Sequence, residues 1–323
     1  LRNPSVAEFE GRTGIRVYVQ TGGTGELLKM AEEGSEPPCD IFWGGSLSTT
    51  SPKRELFEAY ISCNEDMVRD EFKNREGNMS RFTDIPSVIM VNTNLIGDVK
   101  VEGYEDLLQP ELKGRIAMCD PATSSSAYEH LINMLYAMGD GEPEQGWDYV
   151  EDFCRNLDGI LLGGSGEVYQ GVAQGKYAVG LTFEEAAAHY VADRGPVKLV
   201  YMKEGVISTP DSVCIVKGSR HMKEAREFVD FVTGRAAPTV ISMRLDRRYV
   251  RMDLEAPSYL PVQDGKRLFF LQTLSVGWVS DHKSVFSGMA QLAYGPLLKM
   301  NQLIYPGHGR VRPGCFHNFS IYI

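Results

Sequence analysis

At three places in the chain an apolar run of strand length ends in a short turn of glycines and hydroxyl residues, and a helix-period segment follows. Asp40-Ile41-Phe42-Trp43 runs into Gly44-Gly45-Ser46. Leu112 to Cys119 runs into Asp120-Pro121-Ala122-Thr123-Ser124-Ser125-Ser126, and Gly159 to Leu162 into Gly163-Gly164-Ser165-Gly166. Strand, turn and helix in this order indicate an α/β fold with a mostly parallel sheet, because the helix carries the chain back to start a neighbouring strand. Ile15–Val19, Ile85–Asn92, Tyr177–Thr182 and Val197–Met202 read as further strands, and Leu27–Glu33, Ala127–Met138 and Val168–Gln174 as helices. His221–Thr233 is amphipathic, with Ala225, Phe228, Val229 and Val232 on one face.

The 323 residues suggest two domains, and with 43% hydrophobic residues both can hold a core. The chain is expected to cross from a first lobe (1–92) to a second (93–209) near Asn92–Thr93. It returns near Thr209–Pro210, where Asp211–Lys217 rejoins the first lobe, which then extends over 210–287. Residues 288–323 differ in composition: they hold no Asp or Glu and are broken by Pro306, Gly307, Gly309, Pro313 and Gly314, so a divergent, poorly ordered tail is expected.

Several function classes fall away. A net charge of −10 opposes phosphate-backbone binding, which excludes nucleic acid as the main partner. No apolar run approaches the ~20 residues of a membrane-spanning helix. The six cysteines show no C-x-x-C spacing, and Cys119 and Cys214 lie in apolar runs as core residues. Gly23-Thr24-Gly25-Glu26-Leu27-Leu28 lacks the last glycine of a dinucleotide fingerprint, and Gly171 to Tyr177 is one residue short of a P-loop. Gly163-Gly164-Ser165-Gly166-Glu167 imitates a nucleophile elbow but ends in Glu, and no histidine is poised to serve it. No metal site, cofactor or catalytic group is expected, and the chain reads as a binding protein rather than an enzyme.

The turns offer binding chemistry instead. Short hydroxyls beside the unpaired amides of a helix N-terminus favour an anion, since those amides and the helix dipole both attract negative charge. Gly45 and Ser46 are candidates from the first lobe, with Thr123, Ser124, Ser125, Ser126, Ser165 and Gly166 from the second. Glu184, Glu185 and Glu204 follow strands and suit hydroxyl or ammonium groups, which donate hydrogen bonds to carboxylates.

Val6-Ala7-Glu8-Phe9-Glu10-Gly11-Arg12-Thr13-Gly14-Ile15, Gly22 to Leu27, Asp40 to Ser46, Asp120 to Ser126 and Ala178 to Glu184 together resemble the extracellular solute-binding proteins of bacterial ABC importers. The nearest group is the ferric-ion-binding-like branch, and the likeness covers about residues 5–285. It implies a two-lobed periplasmic-binding-protein fold of type II, hinged by two crossovers, with a small-molecule ligand caught between the lobes. It further implies a monomer that delivers its cargo to an ABC permease in the membrane, from the periplasm or the cell surface. Members of the branch begin with a strand before the first helix, and that first strand is missing here. Members named for iron use an adjacent Tyr-Tyr pair, which this chain lacks, Tyr190 standing alone in Ala188-His189-Tyr190. The branch also binds hexose phosphates and aminoethylphosphonate, so a phosphorylated organic solute is the preferred expectation, with ferric iron or an iron–anion pair as the alternative.

Overall fold

The computed structural model describes residues 4–22, 24–33, 37–121, 124–159, 161–208, 210–237, 247–255, 260, 267–268, 285–286 and 318–322. The first stretch runs α1 (Pro4–Thr13), β1 (Tyr18–Gly22), α2 (Thr24–Glu33), β2 (Ile41–Ser46), α3 (Leu47–Thr50), β3 (Ser80–Asp84) and β4 (Ser87–Asn92). Then come β5 (Ile116–Cys119), α4 (Ser125–Met138), α5 (Trp147–Leu157), β6 (Leu161–Leu162), α6 (Ser165–Ala173), β7 (Val179–Phe183), α7 (Glu184–Ala192), β8 (Val197–Val200) and β9 (Val206–Ile207). The last elements are β10 (Asp211–Ile215), α8 (Met222–Thr233), β11 (Arg248–Tyr249), β12 (Arg267–Leu268) and β13 (Asn318–Tyr322).

Two sheets result, ordered β1-β13-β2-β10-β3-β11 and β6-β5-β7-β4-β8, while β9 and β12 pair separately. The expectation of a mostly parallel sheet is corrected. Described pairs in the first sheet are antiparallel, and in the second only β5 with β6 and β5 with β7 are parallel. The cause lies in the crossovers. β4 and β10 each arrive from the other sheet, so they start at the edge where β7, β2 and β3 end and must run against them.

The first crossing also differs from the sequence expectation. β3 belongs to the first sheet and β4 to the second, so the chain passes over at Ile85–Pro86 and not at Asn92–Thr93. Composition hid β3: Ser80-Arg81-Phe82-Thr83-Asp84 is buried throughout but mostly polar, with Arg81 held by Glu76 at 2.6 Å and by the Met79 carbonyl at 2.8 Å. The return runs between β9 and β10 by way of Pro210, Thr209 lying outside the described residues.

Each sheet has its own core. In the first lobe Phe228 of α8 meets Phe9 of α1 at 5.0 Å and Trp43 of β2 at 5.5 Å, ring edge to ring face. The whole predicted apolar face of α8 is buried there: Ala225, Phe228, Val229 and Val232. In the second lobe α4 and α5 bring Leu131, Leu135, Val150 and Phe153 against Ile116 and Met118 of β5. Cys119 and Cys214 are core residues, and burial pushes both thiols up to about 12.

The tail is corrected in one part. Residues 288–317 and Ile323 lie outside the described residues, but Asn318–Tyr322 forms β13, an inner strand that pairs with β1 on one side and β2 on the other. Among the described residues β13 is the only strand joining β1 to the sheet. Deleting residues 318–323 should therefore strip hydrogen-exchange protection from amides of β1 and β2 while β4 to β8 keep theirs. Unchanged protection in β1 would refute that pairing.

Candidate functional site

The strand registers bring one edge of each sheet together. Asp211 pairs with Ser46 and with Thr83, so β2 and β3 end where β10 begins. Ser87 pairs with Phe183, so β7 ends where β4 begins, and β5 and β6, running parallel to each other and β5 to β7, end on the same side. Both crossovers leave from these edges and touch, Pro86 bridging to Ser208. The Glu184 amide donates to the Pro86 carbonyl at 2.9 Å and the Leu47 amide to the Pro210 carbonyl at 3.1 Å. The two edges thus face each other across a cleft, the position where open α/β sheets hold ligands.

Helices α4, α6 and α7 all begin on the second lobe's cleft edge, each following one of the parallel strands β5, β6 and β7. Ser124 caps α4, its hydroxyl accepting from the Ala127 amide at 3.4 Å and lying 3.1 Å from Ser126 Oγ. Ser165 opens α6 after Gly164, which is extended at φ −154° and gives no side-chain cap, leaving those first amides without that partner. Gly166 follows in the first turn, with the Tyr169 hydroxyl folded back over it. Thr123 and the Ser125 side chain lie outside the described residues. α7 carries Glu184 and Glu185 in its first turn and α6 carries Glu167, so of the three N-termini α4 is the one with no acidic residue there.

On the first lobe's edge, Gly44 and Gly45 take φ of +103° and +82°, a region open to glycine. Gly45 also leaves room for Thr24 of α2, whose Cγ2 would stand 2.9 Å from an added Cβ. These turns aim Ser46 across the cleft, where its hydroxyl donates to Glu129 Oε1 of α4 at 3.0 Å.

Three predicted residues have other partners. Glu184 is buried and gripped by Arg248, Nε to Oε2 at 2.8 Å and Nη2 to Oε1 at 2.8 Å, with the Tyr201 hydroxyl donating to it as well. Burial pushes its carboxyl up, against the pull of Arg248 and Tyr201. Glu185 accepts from Arg247 Nε at 2.6 Å, and the same guanidinium also bonds Asp211. In this structure arginines hold both of the carboxylates that were expected to read a ligand. Glu204 is held by backbone amides. It accepts from the Tyr104 and Glu105 amides, both at 3.0 Å, and closes a loop within the second lobe where Gly103 has no Cβ to block it.

Sequence reasoning missed Glu129, Asp84, Asp211, Arg247 and Arg248, which meet only through the topology. It also missed two threonines at the strand ends. Thr83 and Thr182 are 1% exposed, and their hydroxyls have no hydrogen-bond partner among the described residues. Thr182 shares a face of β7 with Gly180, where Val168 and Val172 of α6 pack, so it stands toward the start of α6. Behind it, His130 of α4 is fully enclosed: Nε2 lies 2.7 Å from the Thr182 carbonyl, an acceptor, so Nε2 carries the proton and Nδ1 accepts from the Tyr104 hydroxyl at 2.9 Å. Burial lowers the pKa of His130 to about 4, the backbone acceptors opposing.

Comparison with known proteins places this geometry among relatives. The family described as bacterial extracellular solute-binding protein matches residues 3–242. An uncharacterized protein of Haemophilus influenzae is 25% identical over 226 residues, 66% of this chain and 64% of that protein, so the chain spans just under two thirds of that relative. Iron uptake protein A1 of Synechocystis is 26% identical over 255 residues, 74% of this chain and 70% of that protein. The periplasmic binding protein AfuA of Actinobacillus pleuropneumoniae, solved with exogenous fructose-6-phosphate bound, superposes with a TM-score of 0.77 at 23% identity, covering 89% of this chain and 94% of that one. The last likeness shows the fold: two lobes of the type II periplasmic-binding kind.

Two predictions follow from the site's geometry. Between pH 6.5 and about 4 the unfolded chain holds a proton on His130 that the folded protein refuses, so the stability linked to it is complete above pH 6.5 and is lost toward pH 4. Urea unfolding at pH 7 and pH 4.5 should show a His130-dependent loss of about 2.5 kcal/mol. His130→Gln should lack that component, and an identical pH response in both proteins would overturn the assignment. Glu204→Ala should cost about 1 kcal/mol as a lost cap and leave ligand affinity unaltered; a large affinity loss would return Glu204 to the site.

Proposed function

The chain belongs to the bacterial extracellular solute-binding protein family, and from that premise we propose that it captures a small phosphorylated organic solute between its lobes and passes it to a membrane ABC permease. It would act as a monomeric receptor outside the cytoplasm rather than as a catalyst. The observation that supports the ligand class is the convergence of α4 and α6, both opening on serines at one cleft edge, with no acidic residue in the first turn of α4 and one, Glu167, in that of α6. Helix amides and short hydroxyls are neutral donors that suit a phosphate group, and the Thr182 hydroxyl stands beside them. Ser46 and Glu129, across the cleft, are acceptors and donors for the organic part once the ligand parts them.

The competing reading is iron, alone or with an anion. It is favoured by the approach of Tyr169 on α6 to Tyr190 on α7, ring centroids 6.1 Å apart, which brings two phenols near the same helix starts without a Tyr-Tyr dipeptide. Isothermal titration with glucose 6-phosphate, aminoethylphosphonate and ferric citrate separates the two. One organophosphate should bind with micromolar or tighter affinity, and Ser126→Ala combined with Ser165→Ala should weaken it about 100-fold, the worth of two hydrogen bonds to a charged group. Heat released by ferric citrate alone, abolished by Tyr169→Phe, would replace the phosphate reading with iron.

A further inference from the structure

We propose that Arg247 and Arg248 form an electrostatic clasp that fixes how the two lobes meet, which makes them positioning residues for ligand capture; its effect on affinity rests on the solute-receptor reading above. Arg248 lies in β11 opposite Asp84 of β3, so its backbone belongs to the first lobe. Its guanidinium reaches the second lobe and takes Glu184 with both arms of its fork, at 2.8 Å each, while Nη2 also lies 3.2 Å from the Tyr201 hydroxyl. Arg247 divides itself between lobes: Nε to Glu185 at 2.6 Å in the second, another nitrogen to Asp211 in the first. Two consecutive arginines of one lobe thus meet two consecutive glutamates of the other.

Only 1% of the Glu184 side chain and 10% of the Arg248 side chain are exposed, so the pair forms in a setting from which water is largely excluded. Parting the lobes here would give up both forked bonds and return the charged groups to water, so the pairs favour the arrangement in which they are made by the amount that their geometry outweighs that rehydration. The clasp sits beside the crossovers. Asp84, across the ladder from Arg248, is held by Ser208 of the return crossing and by Arg69 at 3.4 Å. The same arrangement brings Ser46 and Glu129 together across the cleft at 3.0 Å. Lobe rotation that separates this second contact therefore has to turn about the clasp or break it.

Small-angle X-ray scattering of the ligand-free protein tests this without any ligand. Arg248→Met should raise the radius of gyration by about 1 Å on the ~20 Å expected for a chain of this size. The double variant Glu184→Leu with Arg248→Leu, which leaves no lone buried charge, should do the same and decides the matter if the single variant fails to fold. Arg248→Lys should fall between, since a single ammonium cannot reproduce the fork. Affinity for glucose 6-phosphate should drop about tenfold in the double variant as the binding-ready arrangement becomes less populated. Scattering profiles that superpose on the wild type would overturn the clasp. Failure of glucose 6-phosphate to bind the wild-type protein would count against the phosphate reading alone, with the scattering comparison still deciding the clasp.

Discussion

Three strands that run the same way, β6, β5 and β7, set where this protein can hold anything, because each is followed at its carboxyl end by a helix. That arrangement stacks three helix N-termini on one edge of the second sheet, and their unpaired amides create positive potential there. The chain then treats the three ends differently. α7 meets its own potential with Glu184 and Glu185, while α4 and α6 begin on serines, α6 with Glu167 two residues on. The α7 end is turned to contact with the other lobe, and the proposed ligand would rest on the other two.

The crossovers supply the opposing wall. Because the chain passes between sheets at Ile85–Pro86 and again by Pro210, the first lobe must present the ends of β2 and β3 to the second. Polar groups dominate what meets there: Ser46 with Glu129, Ser208 with Asp84, Arg247 and Arg248 with three carboxylates. A junction of this kind is directional. Apolar surfaces tolerate sliding, whereas forked guanidinium–carboxylate pairs in a dry setting permit one geometry and penalise its neighbours. The apolar clusters lie within the lobes, one in the second and the others in the first, and leave the seam between them polar.

Much of this was legible in the sequence because the signals were local. Glycine turns after apolar runs marked β2, β5 and β6, and the spacing of Ala225, Phe228, Val229 and Val232 marked α8 and its buried face. Ser124 and Ser165 were identifiable as helix starts because capping chemistry depends on a few neighbouring residues. What escaped was non-local. β3 is buried yet polar, so hydropathy hid it, and the crossing was displaced to the end of the more apolar β4. Glu184 and Glu185 looked free because their arginines lie more than sixty residues away. Glu204 follows a strand, as a ligand residue might be expected to, but its loop turns the carboxylate onto the Tyr104 and Glu105 amides. β13 could not be anticipated, since pairing with β1 spans nearly the whole chain.

The central claim is that an anionic group rests on the amides and serines opening α4 and α6. A crystal structure of the protein grown with the organophosphate that binds it in titration tests this most directly. The account predicts phosphate oxygens within hydrogen-bond distance of backbone amides at Ser126 and Ser165, with Ser46 and Glu129 on the organic portion. A phosphate held elsewhere, or one contacting Arg247 and Arg248 while the α4 and α6 starts stay bare, would contradict it.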